Sequence, residues 1–194
     1  MRNWSRLAAA LALTSLTGGC TERLAPPEPA IDSVMTLRSF DLAPVALDPF
    51  GASGAAVERE KGITVRAGRF TPPRGIGWSG WLHDSFAAQL SAVGRLDPVS
   101  PIHIGATLVE NRSGDGFTDG RAVLSARFVV TRDGAVVYDK VQRVDIDWRN
   151  SFIGILAYEA AYRHYTALYP KLLETLFADP DFRAAVRRGP PVLL

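Results

Sequence analysis

Three consecutive residues, His83, Asp84 and Ser85, have the side-chain types of a hydrolase triad. In such a triad the side chains converge, so that the serine oxygen attacks while the histidine accepts its proton. The surrounding sequence predicts a helix, in which neighbouring side chains point about 100° apart. The three groups therefore cannot converge, and no Gly-x-Ser-x-Gly elbow occurs elsewhere in the chain.

A second candidate is a row of charges, in which Arg143, Asp145, Asp147 and Arg149 alternate along a predicted strand. Alternate residues of a strand share one face, so we expect the two carboxylates about 6–7 Å apart. This spacing is compatible with a catalytic carboxylate pair or with a surface for a partner. The flanking arginines favour an exposed ladder of opposite charges. All four residues remain candidates for a partner surface.

Residues 75–80, Gly-Ile-Gly-Trp-Ser-Gly, match the spacing of a dinucleotide-binding loop. In that motif the first glycine makes the tight turn directly at the end of a strand. Here residues 72–74 (Pro-Pro-Arg) intervene, and antiparallel hairpins instead of βαβ units follow. The glycines are better explained as a flexible start of a helix. They would let Trp78 and Trp81 lie on the fold or on a partner, so both tryptophans are also candidates for the partner surface.

Polar residues between two predicted strands partly match a calcium-binding loop. Position twelve of such a loop needs a bidentate glutamate, but the chain has Ala122 there, and strands flank the segment where helices are required. A polar hairpin loop is therefore favoured. The histidines His103 and His164 are too scattered for a metal motif, so we expect no metal site. The matching loop positions are Asn111, Ser113, Asp115, Gly116 and Asp119.

The only cysteine, Cys20, ends a stretch that is typical of a secretory signal. Arg2 and Arg6 precede an apolar run from Leu7 to Leu16, and small residues lead from that run to the cysteine. The run is about half as long as the ~20 residues that a transmembrane helix needs. We therefore expect residues 1–19 to be removed.

The segment Thr17-Gly18-Gly19-Cys20 resembles the lipobox of bacterial lipoproteins, although Thr17 stands where a leucine is usual. The resemblance implies a diacylglycerol on the sulfur of Cys20, and its two chains suffice for stable attachment to a membrane. By the sorting rule of Gram-negative lipoproteins, Thr21 after the cysteine implies the inner leaflet of the outer membrane, facing the periplasm. An ordinary secreted protein with a free thiol is the alternative. No cofactor other than this lipid is expected.

The charge of the chain argues against a nucleic-acid partner. The formal net charge is +2, but loss of Arg2 and Arg6 with the signal leaves 20 basic and 20 acidic side chains. A nucleic-acid-binding protein carries a basic surplus. The remaining 175 of the 194 residues suit a single domain with a hydrophobic core. We assign residues 32–188 to this domain and residues 189–194 to a tail.

Three prolines in residues 21–31 predict an extended tether after Cys20, so residues 20–31 form the lipidated cysteine and its linker. At ~3.1 Å per residue, a polyproline-like tether would hold the domain ~30 Å from the bilayer. A loop packed on the domain is the alternative.

The first half of the domain combines strands with one helix. Alternation of apolar and polar residues predicts strands at Ser33–Phe40 and Gly62–Phe70, with a loop at Asp48–Gly62. Apolar residues at helical spacing predict a helix over Ser79–Val93, with its first residue as N-cap and Gly94 as a left-handed C-cap.

The second half predicts three strands followed by helices. The strands Ile102–Glu110, Arg121–Thr131 and Val136–Trp148 form an antiparallel meander, since Asp133-Gly134 is a strong hairpin signal. The last of them changes its pattern and is expected to face water or carry a bulge in its middle. A helix follows over Leu156–Phe177.

Two prolines shape the helical end of the chain. Pro170 is expected to kink the long helix. Asp179 and Pro180 begin a short helix as N-cap and first residue. The fold class is thus α+β, with a mostly antiparallel sheet and two main helices packed on one face.

This order of elements resembles the small envelope lipoproteins that serve ABC-type or MCE-type lipid transport systems as auxiliary components, and more loosely the LPS-assembly lipoproteins. The likeness rests on the lipobox, the helix WLHDSFAAQLSAVG, the three strands around the turn at residues 132–135 and the closing helix that ends KLLETLF. It covers most of residues 33–177 as topology. It implies a non-enzymatic protein that acts by contact with a transport machine or with lipid.

Two main functional hypotheses follow. The favoured one is a lipid-anchored, periplasm-facing binding or assembly component of an envelope transport system, with the membrane and an envelope protein or lipid as partners. The alternative is an envelope hydrolase or acyltransferase whose site forms only in the fold. It requires a deep pocket that joins Asp145 or Asp147 with a histidine or serine. A structural lipoprotein bound to the cell wall is a third hypothesis.

Overall fold

The computed structural model of the protein describes residues 21–65, 68–73, 75–116, 118–151 and 153–189. Its architecture is α+β, as predicted from the sequence. Among the described helices, none is long and apolar enough to cross a membrane. The strands are β1 (Thr21–Arg23), β2 (Ala46–Leu47), β3 (Gly51–Ala52), β4 (Ile63–Val65), β5 (Gly68–Thr71), β6 (Ile102–Asp115), β7 (Asp119–Arg132) and β8 (Ala135–Arg149). The helices are α1 (Ile31–Arg38), α2 (Ala55–Arg59), α3 (Trp78–Ala92), α4 (Gly154–Ala178) and α5 (Pro180–Ala185).

The central sheet is built on the antiparallel meander β6–β7–β8, which confirms the prediction. The hairpin between β7 and β8 turns at Asp133 and Gly134, whose φ angles are 51° and 81°. Two successive positive φ values are what a tight hairpin turn of this hand requires. The middle of β8 faces water, which is one of the two predicted alternatives, since Lys140, Val141 and Arg143 are exposed. The extra residue of the bulge is Val137, close to the turn and not in the middle of the strand.

The meander has two different edges. On one side, β2 and β3 pair in parallel with β6. On the other side, β8 pairs with β7 alone among the described strands, so its far edge is unpaired.

A second, small sheet has the order β1-β5-β4. It corrects the prediction of one strand over Gly62–Phe70, because that segment forms the antiparallel pair β4 and β5. The buried phase changes within it, from Ile63 and Val65 to Gly68 and Phe70. An uninterrupted strand could not bury both sets on one face.

The predicted strand over Ser33–Phe40 is wrong, because these residues lie mainly in helix α1. The residues it buries, Ser33 and Leu37, are four apart and share one helical face. The predicted loop at Asp48–Gly62 likewise contains β3 and α2. Short segments of this kind carry too few residues for their period to decide between helix and strand.

Both long helices pack on the same face of the central sheet, as predicted. Phe86 of α3 contacts Phe128 of β7 at 6.4 Å between ring centroids, and His164 of α4 stacks on Trp148 of β8 at 4.9 Å. The strand side chains between them, such as Ile104 and Val130, are fully buried. This is the inner face of the sheet.

The ends of the helices agree with most of the capping predictions. Gly94 follows α3 with φ 63°, as a left-handed C-cap requires. The Oδ1 of Asp179 accepts the N–H of Asp181 at 2.9 Å, and Pro180 is the first residue of α5. Ser79 is not the N-cap of α3, because that helix begins at Trp78 after Gly77.

The predicted free tether is corrected in its first residues. Thr21–Arg23 form β1, which pairs in parallel with β5. Leu24 is only 4% exposed, and its N–H donates to the carbonyl of Thr71 at 3.0 Å. Burial of this leucine favours a segment packed on the domain over an extended spacer.

Candidate interaction surface

The predicted charge row lies on the face of the central sheet opposite α3 and α4, which we call the outer face. Arg143, Asp145, Asp147 and Arg149 alternate in β8 with the inward residues, of which Val144 and Trp148 are buried. The structure therefore brings the four charged residues together on one side, as the alternation predicts.

Cross-strand partners hold most of this row in place. The guanidinium of Arg121 in β7 donates to Asp145 at 2.9 Å and lies 3.4 Å from Asp147. Arg143 pairs with Glu110 of β6. Sequence spacing does not reveal Glu110 and Arg121, because their position depends on the register of both hairpins.

Glu110 is the acidic centre of the β6 side of this face. Burial alone would raise the pKa of Glu110, but hydrogen bonds from Arg112 and Arg143 outweigh burial and hold that pKa below its usual value. The bond from Arg112 is 2.6 Å long. Glu110 therefore stays ionised at neutral pH and links two arginines that lie on different strands.

The centre of the outer face lies beneath these charges. Val123 is buried, and its cross-strand neighbours are Arg112 and Asp145. Ser125 is buried as well. Long charged side chains can cover apolar surface with their aliphatic parts while the charged ends stay in water. The outer face is thus mainly a layer of charges, with Val141 exposed beside them.

Arg149 is the exception within the row. Among the described residues, none forms an ion pair with Arg149. It lines an open cleft of about 800 Å³. The cleft lies where β7 begins and β8 ends, far from the Asp133-Gly134 turn. The other lining residues are Gly114, Gly116, Asp119, Gly120, Arg121, Asp147 and Trp148. This end of the row offers one cation for an external anionic group.

The floor of this cleft depends on a glycine. A Cβ at Gly120 would lie 2.1 Å from the indole of Trp148, so only glycine leaves room for that ring. The indole also stacks on His164, with 17° between the ring planes. Burial, followed by the charge of Arg163, lowers the pKa of His164. The imidazole is therefore mainly neutral at neutral pH and packs as an aromatic ring.

The two carboxylates of the row do not meet the requirement of the enzyme hypothesis. Both Asp145 and Asp147 are paired with Arg121. The cleft at Asp147 has no histidine or serine among its described lining residues. In the part of the chain that the structure describes, no group of three or more His, Cys, Asp or Glu residues could hold a metal ion.

Trp78 and Trp81 pack on the fold, which is the first of the two predicted alternatives, and are too buried to form a partner surface. Trp78 is 0% exposed and Trp81 is 7% exposed. Their rings pack against Tyr165 and Tyr169 of α4, with centroids 4.5–5.9 Å apart. Large aromatic side chains gain most free energy in such a core. The indoles therefore fix α3 to α4.

A buried polar chain runs through the same cluster. The hydroxyl of Tyr165 donates to Oδ1 of Asn111 at 2.9 Å and lies 3.0 Å from the hydroxyl of Tyr169. Burial raises the pKa of both tyrosines well above the usual value. Both hydroxyls therefore stay protonated. Asn111, a candidate calcium ligand, is committed to this core network on β6.

The glycine-rich segment at residues 75–80 has an internal acidic partner. Glu60 accepts the N–H of Ser79 at 3.0 Å and the hydroxyl of Ser79 at 2.7 Å. A Cβ at Gly77 would lie 1.8 Å from Oε2 of Glu60. The first turn of α3, where a phosphate would bind in a nucleotide site, thus holds a carboxylate of the protein itself. No sequence signal identified Glu60.

The three residues of the triad-like string do not converge, as predicted, because Ser85 is turned away from the other two. Nδ1 of His83 contacts the adjacent Asp84 at 3.1 Å. The hydroxyl of Ser85 donates into the helix, to the carbonyl of Trp81 at 2.7 Å. His103 pairs separately with Asp48 at 2.9 Å.

Residues 24–30 cross α3 and α4 as a strap. Nε1–H of Trp81 donates to the carbonyl of Ala25 at 3.2 Å, and the N–H of Ala30 donates to Oε1 of Gln89 at 3.0 Å. A cleft of about 440 Å³ lies between these two attachments. Its apolar lining includes Pro26, Pro27, Trp81, Tyr162, Pro170 and Leu173. The predicted lipidation site, Cys20, and the signal segment lie outside the described residues.

Known proteins and solved structures were compared with this chain. No family model and no curated protein matches the sequence. A Xanthomonas campestris protein of family DUF330 has a TM-score of 0.51 at 11% identity, covering 79% of this chain and 92% of its own. A Caulobacter crescentus protein described as a lipoprotein gives 0.42 at 13% identity, with coverages of 54% and 80%. A Neisseria meningitidis lipoprotein has a TM-score of 0.26 at 13% identity, and the match covers 62% of this chain and 94% of that protein. The likeness to the Xanthomonas protein shows a shared fold.

Proposed function

We propose that the protein is a lipid-anchored component of the bacterial envelope that binds or assembles with other envelope molecules and does no chemistry of its own. The anchor is the diacylglycerol expected on Cys20. Two acyl chains bury enough methylene groups to make attachment stable. The domain would face the periplasm from the inner leaflet of the outer membrane.

The observation that carries this proposal is the outer face of the central sheet. It presents a broad set of charged residues, while α3 and α4 cover only the inner face. Most of its charges are held by ion pairs within or between strands, so their positions are fixed before a partner arrives. Complementary charges at a preorganised surface favour specific and fast association.

The strap supports the anchored arrangement. Because β1 begins directly after Cys20 and pairs with β5, the domain would sit close to the membrane and not at the end of a long spacer. The cleft beneath residues 24–30 would then lie near the bilayer. A short connection restricts the orientations in which the outer face can meet a partner.

We further propose that the partner belongs to an envelope transport system of the ABC or MCE type. Support comes from the order of elements, which resembles auxiliary lipoproteins of such systems, together with the pairing of anchor and outer face. The partner contact would be made by an envelope protein or by lipid.

Site-specific photo-crosslinking in membranes of the host tests this proposal. A photoreactive residue at Arg112 probes the outer face, and one at Val99, which is 86% exposed between α3 and β6, is the control. We expect adducts with a transport-system protein or a lipid at position 112 and few at position 99. Membrane-bound protein that gives no specific adduct at position 112, or equal labelling at both positions, would contradict the proposal.

A further inference from the structure

The free edge of β8 offers a second interaction surface. The N–H of Asn150 donates to the carbonyl of Thr118 at 2.8 Å, directly after the register pair Asp119 and Arg149. In an antiparallel pair, bonded and non-bonded positions alternate. Even-numbered residues therefore bond to β7, and odd-numbered residues from 139 to 149 direct their N–H and C=O groups away from it.

This edge is long and unbroken. Six residues with outward backbone groups, from Asp139 to Arg149, span about 34 Å at 3.4 Å per residue. No proline interrupts them, and among the described strands none pairs with them. The contact of Lys171 Nζ with the carbonyl of Asp145, at 3.4 Å, is made by an exposed lysine. Unpaired edges of this kind are templates for another strand.

We propose that the occupant is a second copy of this chain, whose β8 pairs antiparallel with β8 of the first about a two-fold axis at Val144. In this register Arg143 lies opposite Asp145 of the second copy. Asp139 lies opposite Arg149 of the second copy, which supplies a partner for the unpaired arginine. Each of these contacts occurs twice by symmetry.

Charge selects this register over its neighbours. An axis at Asp145 would place this aspartate opposite Asp145 of the second copy. An axis at Arg143 would place this arginine opposite Arg143 of the second copy. Like charges directly opposite one another destabilise a strand pair. The register at Val144 avoids both clashes and forms about twelve backbone hydrogen bonds.

The existing contacts of the outer face are compatible with this pairing. Glu110 and Arg121 approach Arg143 and Asp145 from the side of β7, whereas the second copy approaches from the edge. Carboxylates accept several hydrogen bonds, so Asp145 can serve both arginines. Val141, which is 56% exposed, would lie opposite Asp147 of the second copy.

This pairing concerns the edge, while the transport partner proposed above contacts the outer face, so the two proposals can fail separately. The self-association requires no lipid anchor. It is therefore measured both in host membranes and after detergent extraction, and a protein without anchor or transport partner would still form it.

Cysteine cross-linking of the full chain tests the register. In the double variant Val141→Cys/Asp147→Cys, the cysteine at position 141 of each copy lies opposite the cysteine at position 147 of the other copy. The two residues form a hydrogen-bonded pair with Cα atoms ~5.5 Å apart, which is within disulfide range. The matched control Val141→Cys/Asp145→Cys removes the same charge but belongs to the wrong register. Within one copy either pair is too far apart along the strand to close a disulfide.

After mild oxidation we expect the first variant to give disulfide-linked dimers about tenfold faster than the control. Adding Arg149→Asp to the first variant should slow dimer formation about fivefold or more, because it faces Asp139 of the second copy, whereas Arg149→Lys should change it little. Equal rates in the two cysteine variants, absence of dimers, or a disulfide to a different protein would overturn the proposal.

Discussion

Replacement of Glu60 by alanine is expected to loosen the start of α3. The carboxylate accepts the N–H and the hydroxyl of Ser79, at 3.0 and 2.7 Å. It takes the place of a capping side chain, since the N-cap residue Gly77 has none. The variant Glu60→Ala leaves both donors to water.

The magnitude follows from these contacts. Hydrogen bonds to a charged group contribute roughly 1.5–3 kcal/mol each, and an anion at a helix N-terminus adds about 0.3–1 kcal/mol. Because Glu60 is only partly buried, water replaces much of the lost bonding. We therefore expect the free energy of unfolding to fall by about 2 kcal/mol.

Urea unfolding followed by tryptophan fluorescence measures this change, because Trp78 and Trp81 lie in the same first turn of the helix. The control Glu60→Gln keeps an acceptor oxygen and loses the charge, so it should cost about half as much. If Glu60→Ala unfolded within about 0.5 kcal/mol of the unmodified chain, the capping role would be refuted.

Three further outcomes are expected. Tyr165→Phe leaves the Oδ1 of Asn111 without its donor and should lower the free energy of unfolding by about 1–3 kcal/mol in urea titrations. Because burial lowers the pKa of His164, the unfolded chain binds a proton more readily than the folded chain, and the free energy of unfolding should decline as the pH falls below about 6.5. Urea midpoints at pH 7.5 and 5.5 measure this decline, which should be smaller in His164→Gln. Leu24→Ala should release the strap and increase tryptic cleavage after Arg23 severalfold, whereas unchanged cleavage would speak against the strap.

The elements that sequence reasoning predicted correctly are those whose signals are long or stereochemically specific. The meander follows from alternation over many residues and from Asp133-Gly134, whose positive φ values few other pairs tolerate. The helices α3 and α4 follow from apolar stripes of several turns. The charge row shares a face because the strand period is two.

The failures have a common physical origin in tertiary contacts. Helix α1 and the paired strands β4 and β5 are too short for their period to be decisive. Trp78 follows a glycine-rich segment, yet packing against Tyr165 draws it into the core. Glu60 reaches the start of α3 from a loop, and Glu110 reaches the charge row through two hairpin registers. Sequence spacing carries none of these long-range distances.

The central claim of an anchored envelope protein is tested most directly by intact mass spectrometry of the protein isolated from host membranes. We predict a mature chain that begins at Cys20, with a mass increased by a diacylglyceryl group, and no such species after Cys20→Ser. A chain that begins at another residue, or an unmodified Cys20 in the released protein, would contradict it.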